Sequence, residues 1–337
     1  MTGASPAANP RAVKEADALS DAGYDVTVIG CRADAIQWRY DYEIIARGAW
    51  KFIYVDYLPG HVTGSAARTL YRLQGRIAKL LFEKRGLVTR YLYGYGLSKL
   101  EKLARGVDAD LTIGHNEAGL YVVARLLRGG RRVAFDFEDW HSEDLLPAAR
   151  RWRPVEDLRR LEARLVKDAV YCSAASEPMA EALSREFGDR RPAAVLNVFP
   201  LSSVHDAATP REGKKEESLS IVWFSQTLGP GRGLEDVFLA LKGLDARFHL
   251  HLLGQTNDST RRWLESQIPS NWVNYVHVHD LLPPWEVFPW VSQFDLGLSV
   301  DPPYCRSRDL TITNKIFTYM LCGLGVIATD TLGHRSI

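Results

Sequence analysis

The chain has 337 residues, of which 46% are hydrophobic and 25% are charged. This is the usage of globular proteins, so disorder is excluded as the main character of the chain, and the length favours two domains with a core each. The 42 basic and 41 acidic residues almost cancel, so no nucleic-acid partner is predicted.

The cysteine spacing favours free thiols in a reducing compartment. The four cysteines lie far apart in the sequence, without the paired spacing of a zinc site or a disulfide framework. We therefore predict a cytoplasmic protein. Neither a membrane span nor a secretion signal is predicted, because the sequence contains no apolar run of about 18 residues and no charged-then-apolar leader.

The chain opens without the buried strand that normally begins a doubly wound domain. Residues 1–10 are polar and contain two prolines, and they lead directly into a predicted helix over residues 11–22. Gly23 ends this helix, and residues 24–30 have the pattern of the next strand. We therefore expect the first strand of this domain to be missing.

Residues 66–105 are predicted to be helical and are rich in Arg, Lys, Leu and Tyr. A basic amphipathic helix can lie on an anionic membrane, which for a cytoplasmic protein is the inner face. The same composition suits a surface helix that covers a core, and the sequence leaves both interpretations open.

Two polar clusters follow predicted strands in the first half of the chain. His115 and Asn116 follow the strand at 110–114, and a second cluster follows the strand at 132–137. The second cluster contains the side chains of Glu138, Asp139 and His141. Both clusters therefore lie at the carboxyl edge where open α/β sheets bind ligands, and the second cluster could supply a general base. Ordinary loop polarity explains them equally well.

The second half opens with a candidate phosphate-binding turn. A strand over residues 220–224 precedes QTLGPGRG, residues 226–233, and a predicted helix follows. Gly229 and Gly231 allow the backbone to approach an anion, and Arg232 adds a fixed positive charge. No Gly-Lys-Ser/Thr follows, so this turn is not a Walker loop.

Two His-x-His pairs lie in the next predicted strands, residues 248–254 and 273–279. Strand alternation places each pair on one face, where it could serve a metal. Because no nearby cysteine or defined carboxylate joins them, we predict no metal site and interpret the pairs as polar strand ends.

Residues 311–330 predict a loop, a capped helix, a glycine stop and a buried strand. Thr313 or Asn314 can cap the helix, and Gly323 and Gly325 end it. The helix N-terminus then lies at the end of the sheet where anions bind. Helix–Gly–strand units occur in every α/β protein, so this pattern alone does not distinguish a ligand site from an ordinary unit.

The run NKIFTYMLCGLGVIA, residues 314–328, resembles a segment of nucleotide-sugar glycosyltransferases of the GT-B fold, specifically the large retaining family four. The resemblance implies an α/β fold with two Rossmann-like domains that face each other across a cleft. It implies an acceptor domain over residues 1–201, a linker over 202–218 and a donor domain over 219–337. Helices that follow this point in the family are expected to be missing.

The resemblance also suggests roles for individual residues. A histidine near the transferred sugar in the family corresponds best to His115, and the acceptor-side candidates are Asn116, Glu138, Asp139 and His141. The donor-binding candidates are Gln226, Gly229, Gly231, Arg232, Asp309, Thr313, Asn314, Lys315 and Thr318. Neither a metal nor a cofactor is expected, and the partners would be a nucleotide-sugar donor and a glycan or lipid-linked acceptor.

This chain departs from the family pattern at the donor site. Arg232 takes the place of the family's lysine in the glycine turn, whereas Gln226 stands where the family has an arginine. Two glutamates of the family correspond to Leu310 and Thr318 here. Asp309 lies one residue away and could substitute for one of them, and the hydroxyl of Thr318 could still bond a ribose.

The resemblance predicts transfer of a sugar from a nucleotide donor to a glycan, lipid-linked or small-molecule acceptor, with retained configuration. The departures keep two alternatives open, a non-catalytic nucleotide-sugar binding module or inactive fragment, and a sugar-nucleotide 2-epimerase of the same fold. A dinucleotide oxidoreductase is not expected, because no predicted strand is followed by the G-x-G-x-x-G fingerprint with a downstream acid.

Overall fold

The computed structural model describes most of the chain, namely residues 1–33, 35–57, 62–94, 96–145, 147–188, 190–205, 218–244 and 248–337. The chain divides into two units. The first contains Met1–Leu196 and Tyr304–Ser307, and the second contains Asn197–Pro303 and Arg308–Ile337. Most of the predicted linker, residues 206–217, lies outside the described residues.

The first unit contains parallel strands in two sheets. One sheet pairs β1 (Thr27–Arg32) with β2 (Lys51–Asp56). The other has the order β3 (Thr112–His115), β4 (Val133–Phe137), β5 (Cys172–Ala174) and β6 (Ala193–Ala194). Every residue of β4 is buried, as expected for a parallel strand covered on both faces.

Helices cover the strands of the first unit. They are α1 (Pro10–Asp21), α2 (Ala35–Arg47), α3 (Val62–Arg85), α4 (Leu97–Gly106), α5 (Asn116–Arg128), α6 (Pro147–Arg150), α7 (Val155–Asp168) and α8 (Glu177–Phe187). Local sequence explains where α1 begins, because the Asn9 side chain accepts a hydrogen bond from the Ala12 N–H and Pro10 takes the first helical position.

Residues 1–4 connect the two sheets of the first unit. On one side the Thr2 N–H donates to the Ile29 carbonyl at 2.9 Å, and on the other the His115 N–H donates to the Met1 carbonyl at 2.8 Å. A Cβ at Gly3 would collide with Ala118, so only glycine fits there. No strand is assigned to these residues, but they lie between β1 and β3, where a first strand would pair.

The second unit has a single parallel sheet with a central first strand. Its order is β11 (Gly325–Ala328), β10 (Leu296–Ser299), β7 (Ser220–Thr227), β8 (His249–Gln255) and β9 (Val276–His279). The chain starts at β7, moves outward to β9, and returns to β10 on the other side of β7. The carboxyl ends of β7 and β10 therefore form the switch point at which open α/β sheets bind ligands.

The helices of the second half of the chain are shorter. They are α9 (Ser202–His205), α10 (Leu234–Leu241), α11 (Asp258–Gln267), α12 (Pro284–Val291), α13 (Arg306–Leu310) and α14 (Asn314–Leu321). One of them, α13, begins in the segment Tyr304–Ser307 of the first unit. The core between helices and sheet contains Trp223, Phe238 and Trp272, all almost fully buried. Within the described part of the chain, no helix has both the length and the apolar character that crossing a bilayer requires.

Candidate functional site

The position of α14 is fixed by one buried tyrosine. Tyr319 is fully buried, and its hydroxyl donates to the Leu298 carbonyl of β10 at 3.0 Å. A Cβ at Gly297 would collide with the Tyr319 ring, so the helix packs directly on the strand through this glycine. Burial raises the pKa of Tyr319, which keeps the hydroxyl protonated as a donor. The N-terminus of α14 therefore lies at the carboxyl end of β10.

The glycine turn between β7 and α10 packs against the same strand end. Gly233 has a φ of 83°, in the left-handed region, and a Cβ there would collide with the Val300 carbonyl just after β10. Gly231 also has a positive φ, 78°, but a Cβ added there would enter open space. Gly233 therefore allows a close approach between the turn and the strand end, whereas Gly231 serves the bend of the chain.

The N-termini of α10 and α14 thus converge within the second unit. Thr313 is the N-cap residue of α14, and its hydroxyl oxygen lies 2.6 Å from the hydroxyl oxygen of Ser299. Ser299 precedes Val300, the residue that Gly233 contacts. The sequence predicted that the side chain of Thr313 or Asn314 caps the helix. Thr313 is the N-cap residue, but its hydroxyl bonds Ser299 and makes no capping hydrogen bond. The Asn314 side-chain oxygen accepts a hydrogen bond from Asn197 at 2.6 Å.

Positive side chains accompany these two helix ends. The Lys315 ammonium lies 2.9 Å from the Asp301 carboxylate and 5.4 Å from the centre of the Trp223 ring. Burial lowers the pKa of Lys315, Asp301 opposes this, and the charges of Arg232 and Arg308 lower it further. Arg232 and Arg308 therefore both lie within electrostatic reach of Lys315, which is the second residue of α14 and lies near the positive end of its helix dipole.

Arg232 is exposed and the glycine turn has an acidic neighbour. One Arg232 guanidinium N–H donates to the Ser225 hydroxyl at 2.8 Å. The Gly231 N–H donates to the Glu235 carboxylate at 2.5 Å, so this carboxylate already occupies one donor of the turn. Gln226 is exposed at the end of β7, and Gly229 is buried after it.

Two other predicted donor residues have structural partners. The Asp309 carboxylate accepts from the Leu332 N–H at 3.1 Å, which fixes the turn after β11. Thr318 is 2% exposed, and its hydroxyl donates to the Asn314 carbonyl at 3.2 Å. Leu310 is buried as well. This geometry does not favour a ribose contact by Thr318, and the role of Asp309 stays a prediction.

His115 lies at the centre of a buried charge cluster in the first unit. Its Nε2 atom is 2.6 Å from Glu15, and its Nδ1 atom is 2.9 Å from Glu138 and 3.3 Å from Asp136. Asp136 accepts two hydrogen bonds from the Arg11 guanidinium, at 2.5 and 2.7 Å. Both ring nitrogens of His115 are therefore engaged by carboxylates.

The surrounding carboxylates make His115 a cation. Burial alone lowers the pKa of His115, but hydrogen bonds to Asp136, Glu138 and Glu15 outweigh it and raise the pKa to about 10. An imidazolium at neutral pH holds both protons and cannot act as a base. The cluster instead fixes the positions of Glu15 and Glu138, and a catalytic role for His115 stays a prediction.

Oxygen and nitrogen atoms of His115, Asp136 and Glu138 lie close enough together to consider a metal. The chemistry of the donor set argues against one. The imidazolium has no lone pair to offer, and the Arg11 guanidinium already binds both oxygens of Asp136. Arg11 and the two imidazolium protons thus take the place that a cation would fill.

The other acceptor-side candidates have varied surroundings. Asn116 has a φ of 52°, and its side chain bonds residues 2 and 3, so it anchors the first residues of the chain. His141 is buried against Phe135, and burial lowers its pKa. Asp139 is half-buried. The loop that contains His141 is held by the Glu162 carboxylate, which accepts from the Ser142 N–H at 3.0 Å.

The two His-x-His pairs bond to each other across β8 and β9. His249 pairs with His277 at 2.8 Å and His251 with His279 at 3.0 Å, in each case from Nδ1 to Nε2. The rings are nearly parallel within each pair. The hydrogen bonds between the histidines of β8 and those of β9 thus give all four side chains a structural role on this face of the sheet.

The sequence analysis did not identify the residues that surround His115 and Glu138, namely Arg11, Glu15 and Asp136. Arg11 and Glu15 lie one turn apart on α1, and Asp136 is two residues before Glu138, so their spacing was visible. Nothing local indicated that α1 and β4 meet, because Arg11 and Asp136 are 125 residues apart.

No protein-family model and no curated protein matches the chain. Solved structures do match. HepE from Anabaena, solved with UDP and glucose, aligns with a TM-score of 0.64 at 16% identity, covering 99% of this chain and 80% of HepE. The sucrose-phosphate synthase of Thermosynechococcus elongatus gives 0.60 at 12% identity, over 97% of this chain and 77% of its own. A Listeria monocytogenes protein assigned as a UDP-N-acetylglucosamine 2-epimerase gives 0.56 at 11% identity, over 98% and 78%.

These similarities confirm the predicted fold. They extend over nearly the whole chain, so the architecture is the α/β, GT-B type with Rossmann-like units. At such low identity the likeness concerns the fold, and activity must be argued from the site itself.

Proposed function

We propose that this protein is a glycosyltransferase that binds a nucleotide-sugar donor by its diphosphate in the second unit. The observation that carries the proposal is the convergence of the α10 and α14 N-termini at the carboxyl end of β10, with Arg232 and Lys315 beside them. Helix N-termini and basic side chains are the groups that bind phosphates. The complexes of HepE with UDP and with UDP-glucose support a donor of this class.

The proposed catalysis is electrostatic. When the bond between sugar and diphosphate breaks, negative charge develops on the departing oxygen. Arg232, Lys315 and the helix N–H groups would stabilise that charge without a metal ion or another cofactor. The acceptor would be a glycan, a lipid-linked sugar or a small molecule, and retained configuration of the transferred sugar is part of the proposal.

A binding and transfer assay tests the donor site. We expect UDP to bind the wild-type protein in calorimetry, and Arg232→Ala to weaken binding roughly tenfold or more because one charge-assisted contact is lost. Arg261→Ala is the matched control, since Arg261 is an exposed arginine of α11 in the same unit. Full binding and full transfer by Arg232→Ala, over a panel of nucleotide sugars, would reject the site.

Two alternatives are decided by the same incubations. Leu310 and Thr318 are buried where the related family has glutamates, which favours a binding module without turnover. Donor binding with no transfer and no hydrolysis would support that reading. The similarity to the Listeria structure keeps a 2-epimerase open, and an epimerised sugar formed without an acceptor would decide for it.

We also propose a cytoplasmic location. None of the four cysteines is in a disulfide, and burial raises the pKa of Cys31 and Cys172 to about 12, which keeps these thiols unreactive. Free thiols are typical of a reducing compartment. Localisation of the tagged protein by cell fractionation tests this location.

A further inference from the structure

The longest helix of the first unit leaves an apolar stripe in solvent. Leu70, Leu73, Ile77 and Leu80 of α3 recur every three or four residues and therefore lie on one face. Their exposed fractions are 52, 53, 48 and 52%. Single exposed leucines are common, but four in a row on one helix face form a patch that marks an interaction surface.

A different face of α3 attaches the helix to its unit. Ala78 is 2% exposed, and the Tyr71 ring lies 5.5 Å from the ring of Tyr57, centre to centre. The helix therefore has its packing face elsewhere, and burial of the stripe is not needed to hold it in place. Leu87 and Val88, just after the helix, are also exposed.

Positive side chains run alongside the stripe. Arg76 follows Leu73 by three residues and precedes Leu80 by four, so it is adjacent to both on the helix surface. The exposed charged residues of the second half of α3 are Arg72, Arg76, Lys79, Glu83, Lys84 and Arg85. Five of these six carry positive charge. Val88 also lines a cavity of about 220 Å³ with Arg90, Arg125 and Arg128, so basic side chains continue beyond the helix.

We propose that this face of α3, defined by Leu70, Leu73, Ile77 and Leu80 with the basic row beside it, docks on an anionic lipid bilayer. A helix with an apolar face and adjacent Lys and Arg residues lies in the plane of the interface, where the leucines enter the headgroup boundary and the cations meet lipid phosphates. A second copy of this chain fits less well, because pairing through the stripe would bring Arg76 and Lys79 of both copies together.

Vesicle sedimentation of the full chain tests the proposal. We expect binding to phosphatidylcholine vesicles that contain about 30% phosphatidylglycerol, and little binding to phosphatidylcholine alone. Leu73→Gln with Ile77→Gln should weaken binding roughly tenfold or more through lost apolar burial. Arg72→Gln, Arg76→Gln and Lys79→Gln together should weaken it by a similar factor and reduce its dependence on salt.

Val273→Gln is the matched control, because Val273 is 60% exposed in the second unit and should leave vesicle binding unchanged. Circular dichroism of each variant separates lost binding from lost folding. Equal binding to both vesicle types would overturn the proposal. So would a wild-type protein that does not bind vesicles but forms a dimer, if Leu73→Gln abolishes that dimer. Vesicle binding is measured without donor or transfer, so its result is independent of the proposed transferase activity.

Discussion

At the scale of single residues, the glycine turn between β7 and α10 has a negatively charged neighbour, Glu235, which repels the proposed diphosphate. Glu235 accepts the Gly231 N–H at 2.5 Å, in the first turn of α10. A carboxylate there competes with a diphosphate for the same donor and repels it. We predict that Glu235→Gln binds UDP roughly two- to fivefold more tightly than wild type in calorimetry, the effect of one removed like charge in a solvated site.

The control for this prediction is Glu265→Gln. Glu265 is an exposed glutamate of α11, away from the turn, and its substitution should leave UDP affinity unchanged. Weaker binding by Glu235→Gln would instead make Glu235 a direct ligand contact. The direction of the change in UDP affinity thus distinguishes a carboxylate that competes with the donor from one that recognises it.

At the scale of elements, two glycines of the same turn have different tasks. A Cβ added at Gly233 would meet the Val300 carbonyl after β10, whereas a Cβ added at Gly231 would enter open space. Both have positive φ, so alanine at either position costs about 1–2 kcal/mol of backbone strain. We predict that Gly233→Ala costs roughly 2 kcal/mol more than Gly231→Ala, because the added Cβ must push α10 away from β10.

Urea unfolding of the two variants measures this difference. Gly233→Ala should also weaken UDP binding, because it moves the N-terminus of α10 relative to that of α14. Equal stabilities of the two variants would mean that the turn adapts without moving the helix, and the close contact would then have no role in setting the site.

At the scale of the whole molecule, the buried His115 cluster predicts how stability depends on pH. The pKa of His115 is raised from 6.5 to about 10 in the folded protein. The folded state therefore binds the proton more tightly than the unfolded state. The resulting stability is fully present below pH 6.5 and is lost as the pH rises towards about 10.

We predict that the midpoint of thermal unfolding falls as the pH rises from 7 to 10, and that this slope is smaller in His115→Gln. His279→Gln is the comparison, because burial lowers the pKa of His279 and its contribution is lost on the acid side instead. An unchanged alkaline slope in His115→Gln would show that the His115 cluster is not the source.

The sequence by itself determined the features that local chemistry dictates. The glycine turn, the helix after it and the run from Asn314 were located correctly, because glycine conformation and apolar periodicity act over a few residues. These segments also predicted a phosphate-binding turn and, separately, a helix N-terminus at the end of the sheet where anions bind. Parallel strand order then places the carboxyl ends of β7 and β10 side by side.

Only the tertiary structure decided which distant groups meet. Residues 1–4 lie between β1 and β3, and Tyr304–Ser307 belong to the first unit, where the Ser307 hydroxyl accepts the Trp140 N–H. The charge state of His115 likewise depends on carboxylates from α1 and β4. A pKa and a buried ion pair are set by the burial and distance of groups that the fold assembles, and no local pattern contains either quantity.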